Sequence, residues 1–110
     1  MALLTLPFPP FDQWQYETTL DETVYQIRGT LISPPSVTPY YIIDLFTADN
    51  EPIEVGMKVV LGTRYAFRSA TEDNPQRVLF FIAQGAIASD VPTKGELISG
   101  KVLMCYDTAI

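Results

Sequence analysis

Two strand–turn–strand patterns in the first half of the chain constrain its fold more than any other feature. In residues 19–27 and 41–53, apolar and β-branched side chains flank a short polar turn. The turn residues are Asp21 and Glu22 in the first pattern and Asp49 and Asn50 in the second. Asp and Asn side chains hydrogen-bond the nearby backbone, and Asn tolerates a positive φ. The patterns therefore predict two β-hairpins.

Apolar side chains continue to alternate with polar ones on both sides of the first turn. A period of two is typical of a β-strand with one buried face. The positions that share a face are Trp14, Tyr16, Thr18 and Leu20 in the first strand and Tyr25, Ile27, Gly29 and Leu31 in the second. The first hairpin is therefore predicted to extend well beyond its turn.

Further strands are predicted at residues 40–48, 52–61, 78–83 and 101–106, with a strand fragment at residues 97–98. Residues 40–43 are interpreted as buried on both faces, and Gly56 is predicted to form a β-bulge. Residues 64–76 fit a short helix or a loop, and residues 86–89 fit a short strand. Turn signals about every 8–12 residues predict an all-β fold, a small barrel or sandwich of about seven antiparallel strands.

Residues 1–12 are predicted to be an extended N-terminal arm, and residues 13–110 a single all-β domain. Prolines in this arm deny hydrogen-bond donors to a regular ladder, while its large apolar side chains require burial. We expect the arm to dock on a neighbouring chain; the alternative is that it folds back on its own domain. The candidate interface residues are Leu3, Leu4, Phe8, Phe11, Tyr65 and Phe67.

Charge and composition limit the partners. The net charge is −6 and the seven basic residues are scattered, which argues against a nucleic-acid partner. Tyr40, Tyr41, Tyr65 and Phe67 are accordingly interpreted as core or interface residues rather than as stacking platforms for bases. No segment reaches the roughly 20 apolar residues of a membrane span, so no membrane partner is expected. The single cysteine, Cys105, is predicted to be a small buried hydrophobic residue.

The chain has few of the residue types that catalysis or metal binding requires. It has no histidine and one cysteine, which removes the usual general base, the usual nucleophile–base pairs and a zinc site. Among the carboxylates, Asp44 and Asp90 lie in apolar surroundings. Asp44 is predicted to cap or pair at a strand end; the alternative is an ion pair with an arginine of another chain. We expect no catalytic residue, no cofactor and no metal site.

Turn residues, glycines and aromatic residues follow one another in a characteristic order along the chain. They are Thr19, Leu20, Asp21 and Tyr25; then Asp44, Leu45, Phe46, Asp49, Asn50, Pro52, Ile53, Gly56, Val59 and Gly62; and finally Leu103 and Tyr106. This pattern resembles the small baseplate plug proteins of contractile-tailed phages, over residues 16–106. Glu22 and Asn50 stand where that family usually places glycine.

The resemblance implies a structural virion protein that fills or seals the central channel of the baseplate hub or tube. It implies a homo-oligomer, a trimer on the symmetry of the hub, with hub, spike or tube proteins as partners. The implied location is the tail baseplate of the virion, and the host cytoplasm during assembly. The alternative from another class is a small β-barrel ligand- or carbohydrate-binding module, in which Tyr and Trp side chains stack on sugars.

Overall fold

The computed structural model describes residues 3–20, 23–68, 75–86 and 89–108. This part of the chain forms eight β-strands and one short helix. The strands are β1 (Leu3–Leu6), β2 (Gln13–Leu20), β3 (Thr23–Ile32), β4 (Tyr40–Thr47), β5 (Pro52–Lys58), β6 (Arg64–Arg68), β7 (Pro75–Ala83) and β8 (Val102–Thr108). The helix α1 spans Lys94–Ser99.

The strands form two antiparallel sheets that enclose a common core. The first sheet has the order β1-β8-β7-β6 and the second sheet the order β2-β3-β4-β5. The strands therefore follow one another around the sandwich in chain order, as in a flattened barrel that is open at two corners. Residues 7–12 cross between the sheets at one corner and residues 59–63 at the other. The predicted all-β sandwich is confirmed, with eight strands in the described residues rather than about seven. The interpretation of residues 64–76 as a short helix or a loop is wrong for Arg64–Arg68, which form β6 and pair with β7.

The core lies between the sheets because alternate side chains of each strand point inward. The predicted shared faces of β2 and β3 are confirmed: Trp14 and Leu20 are buried in β2, and Tyr25, Ile27 and Gly29 are buried in β3. The largest fully buried side chains are Tyr25, Tyr41, Phe81 and Tyr106. Burial of these side chains removes the most apolar surface from water and stabilises the sandwich.

The interpretation of residues 40–43 as buried on both faces is wrong. In β4, Tyr41 and Ile43 are buried, whereas Tyr40 and Ile42 on the opposite face are partly exposed. An antiparallel sheet in a sandwich packs one face on the core and leaves the other to solvent. Four consecutive apolar residues therefore do not require two covered faces, and β4 presents an apolar outer surface.

The prediction that residues 1–12 form an arm outside the domain is wrong for residues 3–6, which form β1. This strand pairs with β8, from Leu3 opposite Asp107 to Leu6 opposite Met104. Leu6 is buried in the core. The prolines begin at Pro7, where the chain leaves the first sheet to cross to the second, so they interrupt no ladder. This part of the segment follows the alternative of folding back on its own domain.

Residues 97–98, predicted to be a strand fragment, lie instead in helix α1. Thr93 caps this helix: its hydroxyl accepts a hydrogen bond from the Glu96 backbone, and the Glu96 carboxylate accepts one from the Thr93 backbone. Such a capping box satisfies two backbone donors that the first turn leaves free. Gly100 ends the helix at a φ of 86°. The spacing of Thr93, Glu96 and Gly100 was the sequence signal for a helix.

The predicted hairpin at Asp49 and Asn50 is confirmed. Asn50 has a φ of 66°, and its backbone N–H donates to the Thr47 carbonyl across 3.0 Å. The Thr47 hydroxyl accepts from the backbone of Asp49 and Glu51. β2 and β3 also form a hairpin, with Leu20 opposite Thr23; its predicted turn residues, 21 and 22, lie outside the described residues.

Replacing Asn50 should show how strongly this turn depends on its positive φ. Asn50→Pro forces a negative φ and removes the bond to Thr47, so we expect a loss of about 2–4 kcal/mol in the free energy of unfolding. Asn50→Gly is the matched control, because glycine adopts positive φ freely and should leave stability within about 0.5 kcal/mol. Urea unfolding of both variants measures the difference, and equal midpoints would contradict the assignment.

Candidate functional site: the outer face of the second sheet

Two of the predicted interface residues pack within their own chain. The Phe8 ring makes edge contacts with Trp14 and Tyr41, with ring centroids 5.0 and 4.7 Å apart. Tyr65 packs against the core. Their aromatic surface is therefore largely used by the fold, and contact of either residue with another chain stays a prediction.

The other predicted interface residues do not complete a common patch. Phe11 is 61% exposed and is free to contact a partner. Leu3 and Leu4 lie in β1 and Phe67 in β6, but their side chains are outside what the structure describes. The six residues are thus distributed over the crossing at residues 7–12 and over two strands at opposite edges of the first sheet.

Tyrosine hydroxyls hold the two corners of the sandwich. At the first corner, Tyr16 donates to the Pro7 carbonyl and Tyr41 donates to the Phe11 carbonyl, each across 2.8 Å. At the second corner, Tyr65 donates to the carbonyl of Lys58 across 2.7 Å. Each hydroxyl satisfies a backbone acceptor where the chain leaves one sheet for the other. The tyrosines therefore fix the crossings together with backbone hydrogen bonds, from Leu31 to Asp12 at the first corner and from Val59 to Tyr41 at the second.

These tyrosines predict a loss of stability in alkaline solution. Burial raises the pKa of Tyr16 and Tyr41 above the ordinary value of 10.0; for Tyr41 the Asp12 carboxylate adds to this and Lys94 opposes it. Above pH 10 the unfolded chain loses these protons before the folded chain does. The unfolded state then binds fewer protons, so the free energy of unfolding falls as the pH rises.

Urea unfolding between pH 8 and pH 11 tests this prediction. Replacing both Tyr16 and Tyr41 by Phe should lower stability at pH 8, by about 1 kcal/mol for each lost hydrogen bond, and should make the alkaline decline shallower. Tyr40→Phe, on the outer face of β4, is the control for the loss of a tyrosine hydroxyl as such and should leave the stability at pH 8 nearly unchanged. A decline of the same slope in the double variant would contradict the assignment.

The outer face of the second sheet combines aromatic rings with cations. The Arg28 guanidinium lies 4.7 Å from the centroid of the Phe46 ring, and the Lys58 ammonium lies 4.4 Å from that of Tyr40. These contacts hold long side chains flat on the sheet. Ile42, opposite Lys58, adds apolar area between them. The result is a broad surface of mixed character on β3, β4 and β5.

A shallow polar groove crosses the same face at the edge of the sheet. It has a volume of about 510 Å³, and its lining includes the side chains of Gln13, Gln15, Arg28 and Thr30. Amide, guanidinium and hydroxyl groups of this kind donate and accept hydrogen bonds but do not exchange protons near neutral pH. The hydrogen-bonding groups of these described lining residues are suited to binding a polar ligand.

Asp44 lies in the middle of β4, so the prediction that it caps a strand end is wrong. Its Oδ1 accepts a hydrogen bond of 2.7 Å from the backbone N–H of Gly56. Gly56 has a φ of 74°. The pairing of β4 and β5 shifts here, since Ile43 faces Met57 but Leu45 faces Glu54. The predicted bulge is therefore confirmed, and the carboxylate holds it by binding the N–H that the bulge takes out of the ladder.

The outer face of the first sheet has a different character, because its centre is apolar and buried. Val78, Phe80 and Cys105 form a second small cluster there. The Arg64 guanidinium covers the Phe80 ring at 4.3 Å and lies 3.7 Å from the buried carboxylate of Asp107. Cys105 is buried in this cluster, which confirms the prediction of a small buried hydrophobic residue, and burial raises the pKa of its thiol.

The described residues contain neither a metal-binding cluster nor a membrane-spanning helix. Within the ranges that the structure covers, no three His, Cys, Asp or Glu side chains group so as to hold a metal ion. In those same ranges, no helix has the length and apolar character needed to cross a membrane.

Sequence reasoning missed the residues of this face. Arg28, Phe46 and Lys58 lie on the outward side of the alternation of their strands, and Tyr40 was predicted only as a core or interface residue. The signal that could find them is the alignment of neighbouring strands. Pairing β3 with β2 places Arg28 opposite Gln15, and pairing β3 with β4 places Arg28 opposite Asp44.

Comparison with known proteins gives no family for the chain. No protein-family model matches it. No curated protein sequence is significantly similar to it.

Proposed function

We propose that the chain is a structural component of a phage tail baseplate, where it plugs the central channel of the hub or tube. The observation that carries this proposal is the structural role of the residues behind the resemblance. Asn50, Gly56 and Gly62 all have positive φ, and Asp44 binds the backbone of Gly56. These residues shape one hairpin and the corner after it, and this is where most of the residues that carry the resemblance lie.

The surface of the sandwich suits contact with other proteins. The compact body measures about 39 × 27 × 20 Å, and the outer face of its second sheet is broad and carries aromatic and cationic side chains. Aromatic residues and arginine are enriched at protein interfaces. A rigid body with a broad face can occupy a channel by lateral contacts, which is the mechanical task of a plug.

The proposed partners are other copies of the chain, as a trimer on the symmetry of the hub, and the hub, spike or tube proteins. The net charge of −6 favours partner surfaces that carry basic residues. The proposed location is the tail baseplate of the virion after assembly in the host cytoplasm. Phe11 is a predicted interface residue whose exposed side chain is available for such a contact.

Mass spectrometry of purified phage particles tests whether the chain belongs to a virion. We expect its peptides to co-purify with tail proteins, in a constant ratio to them through density-gradient fractions. Tails separated from heads should retain the chain. Its absence from particles, when it is present in the infected-cell lysate, would contradict the proposal.

A carbohydrate-binding module is the second candidate, favoured by the polar groove of Gln13, Gln15, Arg28 and Thr30. Trp14 is buried in the core, so stacking of a sugar on this residue is not available. Calorimetric titration with neutral oligosaccharides should detect binding that Arg28→Ala weakens and Lys101→Ala, on an exposed site elsewhere, does not. Absence of heat with every oligosaccharide would remove this candidate.

A further inference from the structure

The four strands at the sheet edges differ in how they resist pairing with another chain. β1 has four residues and is followed by Pro7. β5 begins at Pro52 and contains the Gly56 bulge. β6 has five residues, begins and ends with arginine, and loses register after Phe67. Short length, proline, bulges and charge are the devices that protect sheet edges.

β2 has only one of these devices, the single charge of Glu17. It has eight residues, pairs with β3 without a register shift, and contains neither proline nor a basic residue. Its exposed side chains are Gln13, Gln15, Glu17 and Thr19. Among the described residues, β3 is its only hydrogen-bonded neighbour. A long, regular edge that carries a single charge is a template for a further strand.

The backbone groups on the free edge of β2 can be identified from the pairing with β3. The Leu31 N–H donates to the Asp12 carbonyl at the start of this ladder. Hydrogen-bonded and non-hydrogen-bonded pairs alternate along an antiparallel ladder. Even-numbered residues of β2 therefore bond to β3, and the backbone groups of Gln13, Gln15, Glu17 and Thr19 point away from it.

We propose that β2 of two copies of this chain pair in antiparallel fashion about a two-fold axis at Tyr16. The contact joins the second sheets of the two copies into one continuous sheet. A two-fold contact is self-complementary, so the same four residues of each copy supply its backbone donors and acceptors. The inference goes beyond the proposed function and does not depend on it, because it concerns the free chain.

The register of the two β2 strands determines where the two-fold axis lies. Centred on Tyr16, the pairing places Gln15 opposite Glu17 of the partner subunit and Gln13 opposite the partner's Thr19. All four outward residues then exchange hydrogen bonds, about eight in total. Centred on Glu17, the pairing would bring two carboxylates face to face and use fewer residues. Like charges directly opposite each other are destabilising, so the Tyr16-centred register is favoured.

Substitutions at Gln15 test both the contact and its register. Gln15→Lys places an ammonium opposite the partner's Glu17 at two symmetric positions and should tighten dimerisation by about tenfold, whereas Gln15→Glu should weaken it by about tenfold. Gln15→Pro removes an outward N–H without removing a bond to β3 and should give a monomer. Sedimentation velocity of the full-length chain over a wide concentration range measures the three dissociation constants.

The chain provides its own controls. Gln15 lies opposite Arg28 within the chain, and its side-chain amide donates a hydrogen bond to the Gln26 side chain. Both substitutions therefore also act on the monomer: Gln15→Glu gains the attraction of Arg28 but loses the donor, and Gln15→Lys keeps a donor but faces Arg28. Urea unfolding of each variant measures this effect separately from dimerisation. Gln13→Glu adds the same charge to the edge but opposite the partner's Thr19, and should change dimerisation less than Gln15→Glu. A wild-type chain that stays monomeric, or a dimer that is indifferent to Gln15→Lys and Gln15→Glu, would overturn the proposal.

Discussion

A chain that lacks residues 1–12 should fail to fold stably. The deletion removes β1 from its place beside β8, the buried Leu6, and the carbonyls that accept hydrogen bonds from Tyr16 and Tyr41. Loss of a buried leucine side chain alone costs about 2–5 kcal/mol. A small domain has about 5–15 kcal/mol of stability in total, so the deletion removes much or all of it. Circular dichroism and thermal melting measure the effect.

Two single substitutions separate the structural part of this segment from its exposed part. Leu6→Ala should lower the free energy of unfolding by about 3 kcal/mol. Phe11→Ala, at a side chain that is 61% exposed, should change it by less than about 1 kcal/mol. A truncated chain that keeps its melting temperature would instead support an independent arm, as would equal effects of the two substitutions.

Gly29→Ala should also destabilise the fold severely, by about 3 kcal/mol. A Cβ at this position would lie 2.3 Å from two carbons of the Trp14 indole. The indole has little room to move, because it is stacked on Tyr16 and makes an edge contact with Phe8. Either the indole or strand β3 must shift, and both lie in the packed core. Urea unfolding measures the loss.

A matched control and a compensating variant make the test specific. Gly95→Ala, in helix α1, meets nothing closer than 3.9 Å and should be neutral or stabilising by up to about 1 kcal/mol through helix propensity. In a Trp14→Leu background the smaller side chain makes room, so Gly29→Ala should cost about 1 kcal/mol or less. An equal cost of Gly29→Ala in both backgrounds would show that the contact with Trp14 is not its cause.

Local patterns accounted for most of the second sheet. Alternation identified the inward residues of β2 and β3, because a strand in a sandwich has one buried face and the period of two records it. The turn at Asn50 and the bulge at Gly56 were predictable, because few residue types adopt a positive φ without strain. Such features depend on residues close together in the chain.

The features that were missed depend on partners distant in the chain. Nothing near Leu3–Leu6 shows that β8, almost a hundred residues later, leaves an edge open for it. The apolar run at residues 40–43 suggests two covered faces, but its outer face is not covered by another layer of the fold. Cationic side chains from the neighbouring strands lie on the outer rings of β4 instead, Arg28 on Phe46 and Lys58 on Tyr40. Helix α1 was missed for another reason, since its capping box was present in the sequence.

The candidate site was predictable only in part. Aromatic residues in apolar segments suggested an interface, but Phe8 and Tyr65 are engaged in the fold. An aromatic side chain is buried or exposed according to whether a chain segment between the two sheets covers it. The path of these segments is set only when the whole sandwich has formed. The groove of Gln13, Gln15, Arg28 and Thr30 forms only when β2 and β3 align in register.

Cryo-electron microscopy of intact phage particles tests the proposed plug most directly. The proposal predicts density on the tail axis within the baseplate, into which the two four-stranded sheets fit, with copies related by the three-fold symmetry of the hub. Phe11 and the outer face of the second sheet should contact neighbouring chains there. An on-axis channel filled by a different protein, with this chain off the axis or absent from the particle, would contradict it.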